Sequence, residues 1–350
     1  MRSGLWLMTL AVLVNGVVCH ALPVLSRPDL LFSVTIDESF RAQPFARAVL
    51  RRYRWAVWIG TAAALGLLRV GTMNNAVIVV LMQSLVLGAA WAWAHGRIKP
   101  HALTLPATRV ASLARRDDRL PGGALLAAGP FLIVAAAAIL LATHWDRIPA
   151  RFPTHWTTDG TPNGWRQRTV TGVYGPLAMG TVMISFALVQ AFALLRRTRQ
   201  IALDGVAAAS EQKFKHVTAL YAIASSYLMA LLFGGFAVRP ILGTGEKLGP
   251  AIWVVPFGIV AMSTAAMVWM MRVGQAGQRG LSPSQRRGAR GDATPDDAWK
   301  AGMIYFNPAD PAWLVEKRMG IGWTFNFGHK LTWVMLAALV ALPFVLRLLR

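Results

Sequence analysis

The sequence has very little cysteine and little acidic charge. Its 350 residues include one cysteine, Cys19, which excludes a disulfide framework and a Cys-based zinc site. Only 15 residues are Asp or Glu, against 36 Lys and Arg, and none of the 15 lies inside a long apolar run. Ionisable groups at membrane depth are costly and mark proton relays or ion paths. Their absence counts against a proton- or sodium-coupled transporter and leaves open a channel or a carrier of apolar solutes. There is no His-Glu-x-x-His spacing and no diagnostic Ser/His/Asp arrangement. The reading therefore assigns no catalytic residue, no metal ligand and no cofactor.

What is abundant is apolar. At 55% hydrophobic and 15% charged residues, with mean hydropathy +0.46, the chain is too apolar for an ordinary soluble domain. A formal net charge of +21 suits nucleic acid only if the cations gather on one folded surface. Here they fall in the gaps between apolar runs, so the expected partner is the lipid bilayer and not nucleic acid.

A helix needs about 20 apolar residues to cross a hydrocarbon layer about 30 Å thick. Eight stretches qualify or nearly do: Leu5–Leu22, Trp55–Val70, Ala76–Ala94, Ala124–Thr143, Val173–Leu195, Val217–Val238, Pro250–Met271 and Leu331–Leu346. The second and eighth are short, and Gly71–Asn75 reads as a tight turn making 55–94 a hairpin. Pro130, Pro256 and Pro343 inside spans are expected to mark kinks. The expected fold class is all-α, a polytopic membrane bundle of about eight transmembrane helices. A small aromatic-rich cytoplasmic segment precedes the last one.

Charge sets the sidedness. Segments 26–54, 95–123, 196–216 and 272–330 hold 26 of the 36 Lys and Arg, and in an eight-span chain all four fall on one side. By the positive-inside rule that side is cytoplasmic, and both termini are extracytoplasmic. Residues 1–25 read as a retained first span. Cys19-His20-Ala21 is a poor cleavage site, and cleavage would invert every later loop against its charge. Asn15, His20, Gln83, Ser84, Gln190, Ser225 and Ser226 are polar at depth and are expected to hydrogen-bond between helices.

Two spans, 124–195 overall, flank an extracytoplasmic loop at 144–172 with its own turn chemistry. Pro149, Pro153 and Pro162 restrict the backbone, and Asp159-Gly160 and Asn163-Gly164 are turn dipeptides. A loop of this kind is expected to form a packed cap. His144, Asp146, His155 and Asp159 match no compact metal signature, and His155 is expected to order the turn through a local hydrogen bond. The candidate ligand- or partner-binding residues are Pro149, Pro153, His155, Asp159, Gly160, Pro162, Asn163 and Trp165.

On Ile148, Pro149, Phe152, Pro153, Thr154, His155, Gly160, Pro162 and Trp165 the loop resembles the extracytoplasmic motif of SdpI-type bacterial membrane proteins, part of a wider family without assigned function. Asn163 replaces that motif's usual acid. The resemblance implies a bacterial cytoplasmic-membrane protein acting in toxin immunity and envelope sensing, with an extracytoplasmic peptide or a cytoplasmic regulator as partner.

On the cytoplasmic side, 272–298 is rich in Gly, Arg, Ser, Asp and Pro and reads as a disordered linker. Aromatic and turn residues then interleave over 299–330, with Gly320–Phe327 the best strand candidate. This segment resembles a C-terminal cytoplasmic domain appended to the same family. The candidate motif residues are Trp299, Tyr305, Asn307, Asp310, Pro311, Lys317, Arg318, Gly320, Gly322, Trp323 and Asn326. Lys317-Arg318 is expected to lie beside anionic lipid.

A third likeness, at Leu31–Arg54, has Ser33 where the family carries glycine, and 44–54 reads as an amphipathic helix on the inner leaflet. Two further function classes stay open. One is a small-solute transporter or channel not coupled through intramembrane carboxylates. The other is an outer-face enzyme using His155 or Asp159 as acid or base.

Overall fold

The computed structural model describes residues 2–70, 76–103, 118–157, 160–196, 198, 205–242, 254–282, 284–285 and 294–348. Among these are eight α-helices: α1 (Arg2–Leu25), α2 (Pro44–Val70), α3 (Ala76–Ile98), α4 (Gly123–Thr143), α5 (Val170–Arg196), α6 (Gly205–Val238), α7 (Val254–Val273) and α8 (Lys330–Leu348). Each apolar stretch read from the sequence falls in one of them, apart from 250–253, which lie outside the described residues. Six helices, α1 and α3 to α7, are long and apolar enough to cross a membrane. These make the chain a multi-pass membrane protein. On that criterion six of the eight expected spans qualify among the described residues, and α2 and α8 do not meet it. The first half of α2 carries Arg47, Arg51, Arg52 and Arg54, and the apolar stretch of α8 is short.

The chain divides into two compact units. The first comprises Met1–Ala114, Arg199–Glu211 and Met270–His329. Its helices α1, α2 and α3 pack against one another and share polar contacts at depth. The Asn15 amide donates to Gln83 Oε1 (3.3 Å) and Ser84 Oγ (3.2 Å), and the Gln83 amide donates to the Val12 carbonyl (3.0 Å) and Thr61 Oγ1 (3.2 Å). The interhelical bonding expected of Asn15, Gln83 and Ser84 is therefore observed. Ser225 and Ser226 instead bond back to carbonyls of their own helix, four residues earlier.

At one end of this bundle Phe32, Tyr53 and Trp91, all fully buried, meet edge to face with centroids 5.0–5.8 Å apart. The same end gathers three of the four arginine-rich segments. The short antiparallel pair β1 (Leu30–Leu31) and β2 (Val34–Thr35) is held by His95 Nδ1 on the Phe32 carbonyl (2.8 Å) and by Leu103 N–H on the Thr35 carbonyl (2.8 Å). Thr35 Oγ1 reaches Asp296 (3.0 Å), and Arg27 pairs with Glu316 (3.1 Å). Segments that charge alone puts on one side of a membrane are thus packed on one another.

The segment expected as a linker, 272–298, is ordered wherever it is described. Residues Gln275–Gly280 form a 3₁₀ turn with Gln275, Ala276, Gly277 and Gln278 buried, and Ser210 Oγ donates to the Gly277 carbonyl (3.2 Å). Composition misleads here because polar and small side chains are buried by hydrogen bonding rather than by apolar area. Residues 286–293 lie outside the described residues.

The second unit comprises Arg115–Thr198, Gln212–Trp269 and Lys330–Arg350. Its core runs along α4, α5 and α6 through Leu141, Ile184 and Ala230 and closes over Ile148 and Phe152 of the loop between α4 and α5. Tyr227 Oη on α6 donates to the Leu126 carbonyl of α4 (2.8 Å). At one end Arg196 pairs with Asp118 (3.3 Å), joining two loops that charge assigns to one side. At the other, the Arg239 guanidinium lies 5.1 Å over the Trp156 ring, which also stacks on Phe236.

Candidate functional site

The loop between α4 and α5 is a β-hairpin. Strand β3 (Arg151–Trp156) pairs antiparallel with β4 (Pro162–Gln167), placing Phe152 opposite Arg166, Pro153 opposite Trp165, and His155 opposite Gly164. The register shifts between Pro153 and His155. Pro153 cannot donate to a ladder, a defect that a two-stranded ribbon tolerates. The packed cap expected from the turn dipeptides is thus a ribbon with two unlike faces. Phe152 and Ile148 are buried in the helical core, whereas His155, Asn163 and Arg151 are exposed.

Several bonds fix the hairpin. Arg168 Nη1 donates to the carbonyls of Trp145 (3.3 Å), Asp146 (3.3 Å) and Ile148 (3.1 Å), clamping the turn that leaves α4. Thr157 N–H donates to the Thr161 carbonyl (2.9 Å), and Gly160, at φ +81°, donates to the Thr157 carbonyl (3.0 Å). Gly164 is required by proximity, since a Cβ there would come within 2.7 Å of His155 Cβ. His155 Nδ1 meets Asn163 Oδ1, the local bond expected of it. The Arg151 guanidinium lies 5.0 Å over the Trp165 ring. Pro149 is exposed, and Pro162 opens β4. Asp159 lies outside the described residues. Among the described residues no three His, Cys, Asp or Glu converge as metal ligands. The exposed face offers an imidazole, a carboxamide and a cation stacked on an indole, a set suited to recognition.

The motif residues between 299 and 326 have a different use. Two hairpins, β5 (Trp299–Lys300) with β6 (Ile304–Tyr305) and β7 (Leu314–Glu316) with β8 (Trp323–Phe325), form a small module. The strand expected over Gly320–Phe327 is confined to β8. Gly320 and Gly322, at φ +78° and +110°, instead make the turn before it. Their N–H groups donate to Ser26 Oγ (3.0 Å) and Gln275 Oε1 (2.6 Å).

Tyr305, fully buried, donates to Asp310 Oδ2 (2.7 Å), and Asp310 Oδ1 caps the Ala312 N–H (2.9 Å). The Asn307 amide donates to Tyr305 Oη (3.2 Å). Asn326, with no exposure, ties the end of β8 to the connection between the two hairpins through five bonds, to Asn307, Asp310, Ala312 and Gly328. Trp299 Nε1 donates to Thr294 Oγ1 (2.9 Å). Pro311 and Lys317 are exposed and Trp323 is half-buried.

Arg318 corrects the sequence reading. It is 0% exposed, so it does not lie beside lipid headgroups. Its guanidinium donates to the Ser33 carbonyl (3.1 Å), to the carbonyl (2.6 Å) and Oγ1 (3.1 Å) of Thr294, and to the Asp296 carboxylate, while lying 5.4 Å over the Trp299 ring. A guanidinium supplies five donors in a planar fork, so one arginine can satisfy this many acceptors. Most of the polar motif residues thus hold the module together and attach it to residues 26–35.

The residues that sequence reasoning missed are the partners: Arg27, His95, Gln275, Thr294, Asp296 and Glu316. The one available signal was Ser33. Phe32 and Ser33 adopt φ +49° and +66°, a left-handed region in which glycine is unstrained. The buried Ser33 hydroxyl also has no partner. The glycine that the family likeness places there is physically accounted for, and serine is a strained substitute.

Comparison with known proteins agrees with this partition. Residues 132–180, which contain the β3–β4 hairpin and its flanking helix ends, match the family described as "Domain of unknown function (DUF1648)". Residues 308–333, from the β6–β7 connection into α8, match the "Family of unknown function (DUF5808)". No curated protein and no solved structure matches the chain. The chain is a multi-pass membrane protein similar, in these two segments, to domains without assigned function.

Proposed function

We propose that this protein is a non-enzymatic envelope sensor or immunity protein of the SdpI-like type. It would lie in a bacterial cytoplasmic membrane with eight spans and both termini outside. The β3–β4 hairpin faces out and meets a secreted peptide or a lipid, and the module at 299–326 faces in, where a regulator reads it. The observation that carries this reading is the two-faced hairpin. Phe152 and Ile148 anchor it in the helical core, while His155, Asn163 and the Arg151–Trp165 pair are left for a partner. The eight-span topology draws support from the basic segments, which pack on one another within the first unit as the positive-inside rule requires. Inner-leaflet contact is supported by Arg47, Arg51 and Arg54, which line an open recess with Trp55 and Trp58 on α2.

The test separates function from folding. His155→Ala and Trp165→Ala remove side chains outside the buried core, so each is expected to change stability by no more than about 1 kcal/mol. Both are expected to abolish protection against the cognate peptide in a survival assay at unchanged membrane abundance. Full protection by both variants would dismiss the proposal.

A further inference from the structure

Within the first unit, a recess of about 150 Å³ opens between the C-terminal end of α1, the loop that follows it, and the 3₁₀ turn after α7. Arg27, Arg41, Arg279, Gln275, Gln278 and Ser26 line it, and no carboxylate does. Most of these groups have a structural duty. Arg27 is held by Asp29 (2.9 Å) and Glu316 (3.1 Å) behind the recess. Arg41 donates to the carbonyls of Pro23 (3.2 Å), Arg27 (3.0 Å), Pro28 (2.9 Å) and Leu30, and Arg279 to those of Val24 (2.9 Å) and Met271. Cations at helix C-terminal ends need no ligand to explain them.

Gln275 is not explained in this way. It is 2% exposed, and its Oε1 accepts the Gly322 N–H at 2.6 Å, which fixes the orientation of the carboxamide. Its amide nitrogen is therefore a buried donor pair, and it has no partner. Buried donors are almost always satisfied, and an unsatisfied one calls for an explanation, of which a bound acceptor is one. Of the five N–H donors on each guanidinium, Arg279 uses two and Arg41 four, leaving three and one. With the two on the Gln275 amide, Arg41, Arg279 and Gln275 together hold six unused N–H donors, and no carboxylate lines the recess.

We propose that this recess binds a phosphate group, carried by an anionic lipid or present as free phosphate. Two guanidiniums with unused donors, Arg41 and Arg279, and the Gln275 carboxamide match the charge-assisted geometry that phosphate oxygens favour. The lipid source also requires the inward-facing assignment made above, whereas free phosphate does not.

The test uses the purified full-length chain and two substitutions. Gln275→Glu keeps the acceptor for Gly322 N–H and puts a carboxylate oxygen where the free amide was. Arg279→Gln removes an exposed cation. Thermal unfolding is followed in neutral detergent with increasing inorganic phosphate, chloride holding ionic strength constant. It is followed again in nanodiscs of phosphatidylglycerol and of phosphatidylcholine.

A saturable rise in Tm with inorganic phosphate identifies free phosphate. A rise confined to phosphatidylglycerol nanodiscs identifies a headgroup. In either case each substitution is expected to weaken the response by roughly tenfold or more, since each removes a charge-assisted bond. Gln275→Glu is further expected to unfold no earlier than the unliganded wild type, its carboxylate standing in for the anion. The proposal is overturned if neither phosphate source shifts Tm, or if Gln275→Glu responds as wild type does.

Discussion

Replacing Arg318 with methionine is expected to destabilise the module at 299–326 by about 3–5 kcal/mol, the range for removing one partner of a buried ion pair. The side chain is wholly enclosed, and its loss removes a donor from the Asp296 carboxylate, the Ser33 and Thr294 carbonyls and Thr294 Oγ1. Asp296 Oδ2 already lacks a partner, so the carboxylate would keep only the Thr35 hydroxyl as a donor. Backbone hydrogen exchange over 299–326 reads the effect directly, as a loss of protection of roughly a hundredfold or more. Arg318→Lys is expected to recover little, because an ammonium cannot reproduce the planar fork. Arg318→Met combined with Asp296→Asn is expected to recover part of the loss by removing the stranded charge. Wild-type protection in Arg318→Met would mean that the guanidinium lies at the surface.

Asn326→Asp is expected to cost about 2–4 kcal/mol, although it changes only one atom of the side chain. Asn326 Oδ1 accepts the N–H groups of Asn307 (3.0 Å) and Gly328 (3.0 Å). Its Nδ2 faces the carbonyls of Asn307 (2.9 Å), Asp310 (3.2 Å) and Ala312 (3.2 Å). Aspartate keeps the acceptor and turns the donor into a second oxygen against three carbonyls. Each buried group left unsatisfied costs about 1–3 kcal/mol. The same exchange experiment separates the two substitutions, since Asn326→Asp should open the 307–312 turn while leaving the β5–β6 pairing better protected. Equal loss throughout the module would contradict this assignment of the asparagine.

The helices were legible because a long apolar run has few other uses, and each proposed stretch falls in an α-helix wherever it is described. The hairpin was half legible. Its turn dipeptides and prolines announced an ordered cap, and the His155–Asn163 contact follows from local chemistry. Its division into a buried and an exposed face depends on where α4, α5 and α6 place their apolar sides, and no window of sequence records that. Arg318 was misread for a related reason. An arginine beside a lysine near a membrane looks interfacial, and its partners Ser33, Thr294 and Asp296 lie 285, 24 and 22 positions away. The segment at 275–278 was misread because composition predicts disorder from the lack of apolar area, whereas here glutamines and glycines are buried by backbone and amide bonding.

These observations bear on how the two matched segments relate to function. In the hairpin the exposed polar groups are few and aimed away from the core, so substitution there should change recognition before it changes folding. In the module at 299–326 most of the recognisable polar residues are committed to holding structure. Its readable surface is therefore expected among residues outside that network, such as Lys317 and Pro311.

The account rests on the hairpin lying outside and the module inside. The direct measurement places single cysteines at Asn163 and at Lys317, both exposed, in a chain whose own Cys19 is replaced by alanine. Intact cells are then treated with a membrane-impermeant maleimide. The prediction is labelling at position 163 in intact cells and at 317 only after permeabilisation. Labelling of 317 from outside, with 163 protected until the membrane is opened, would contradict it.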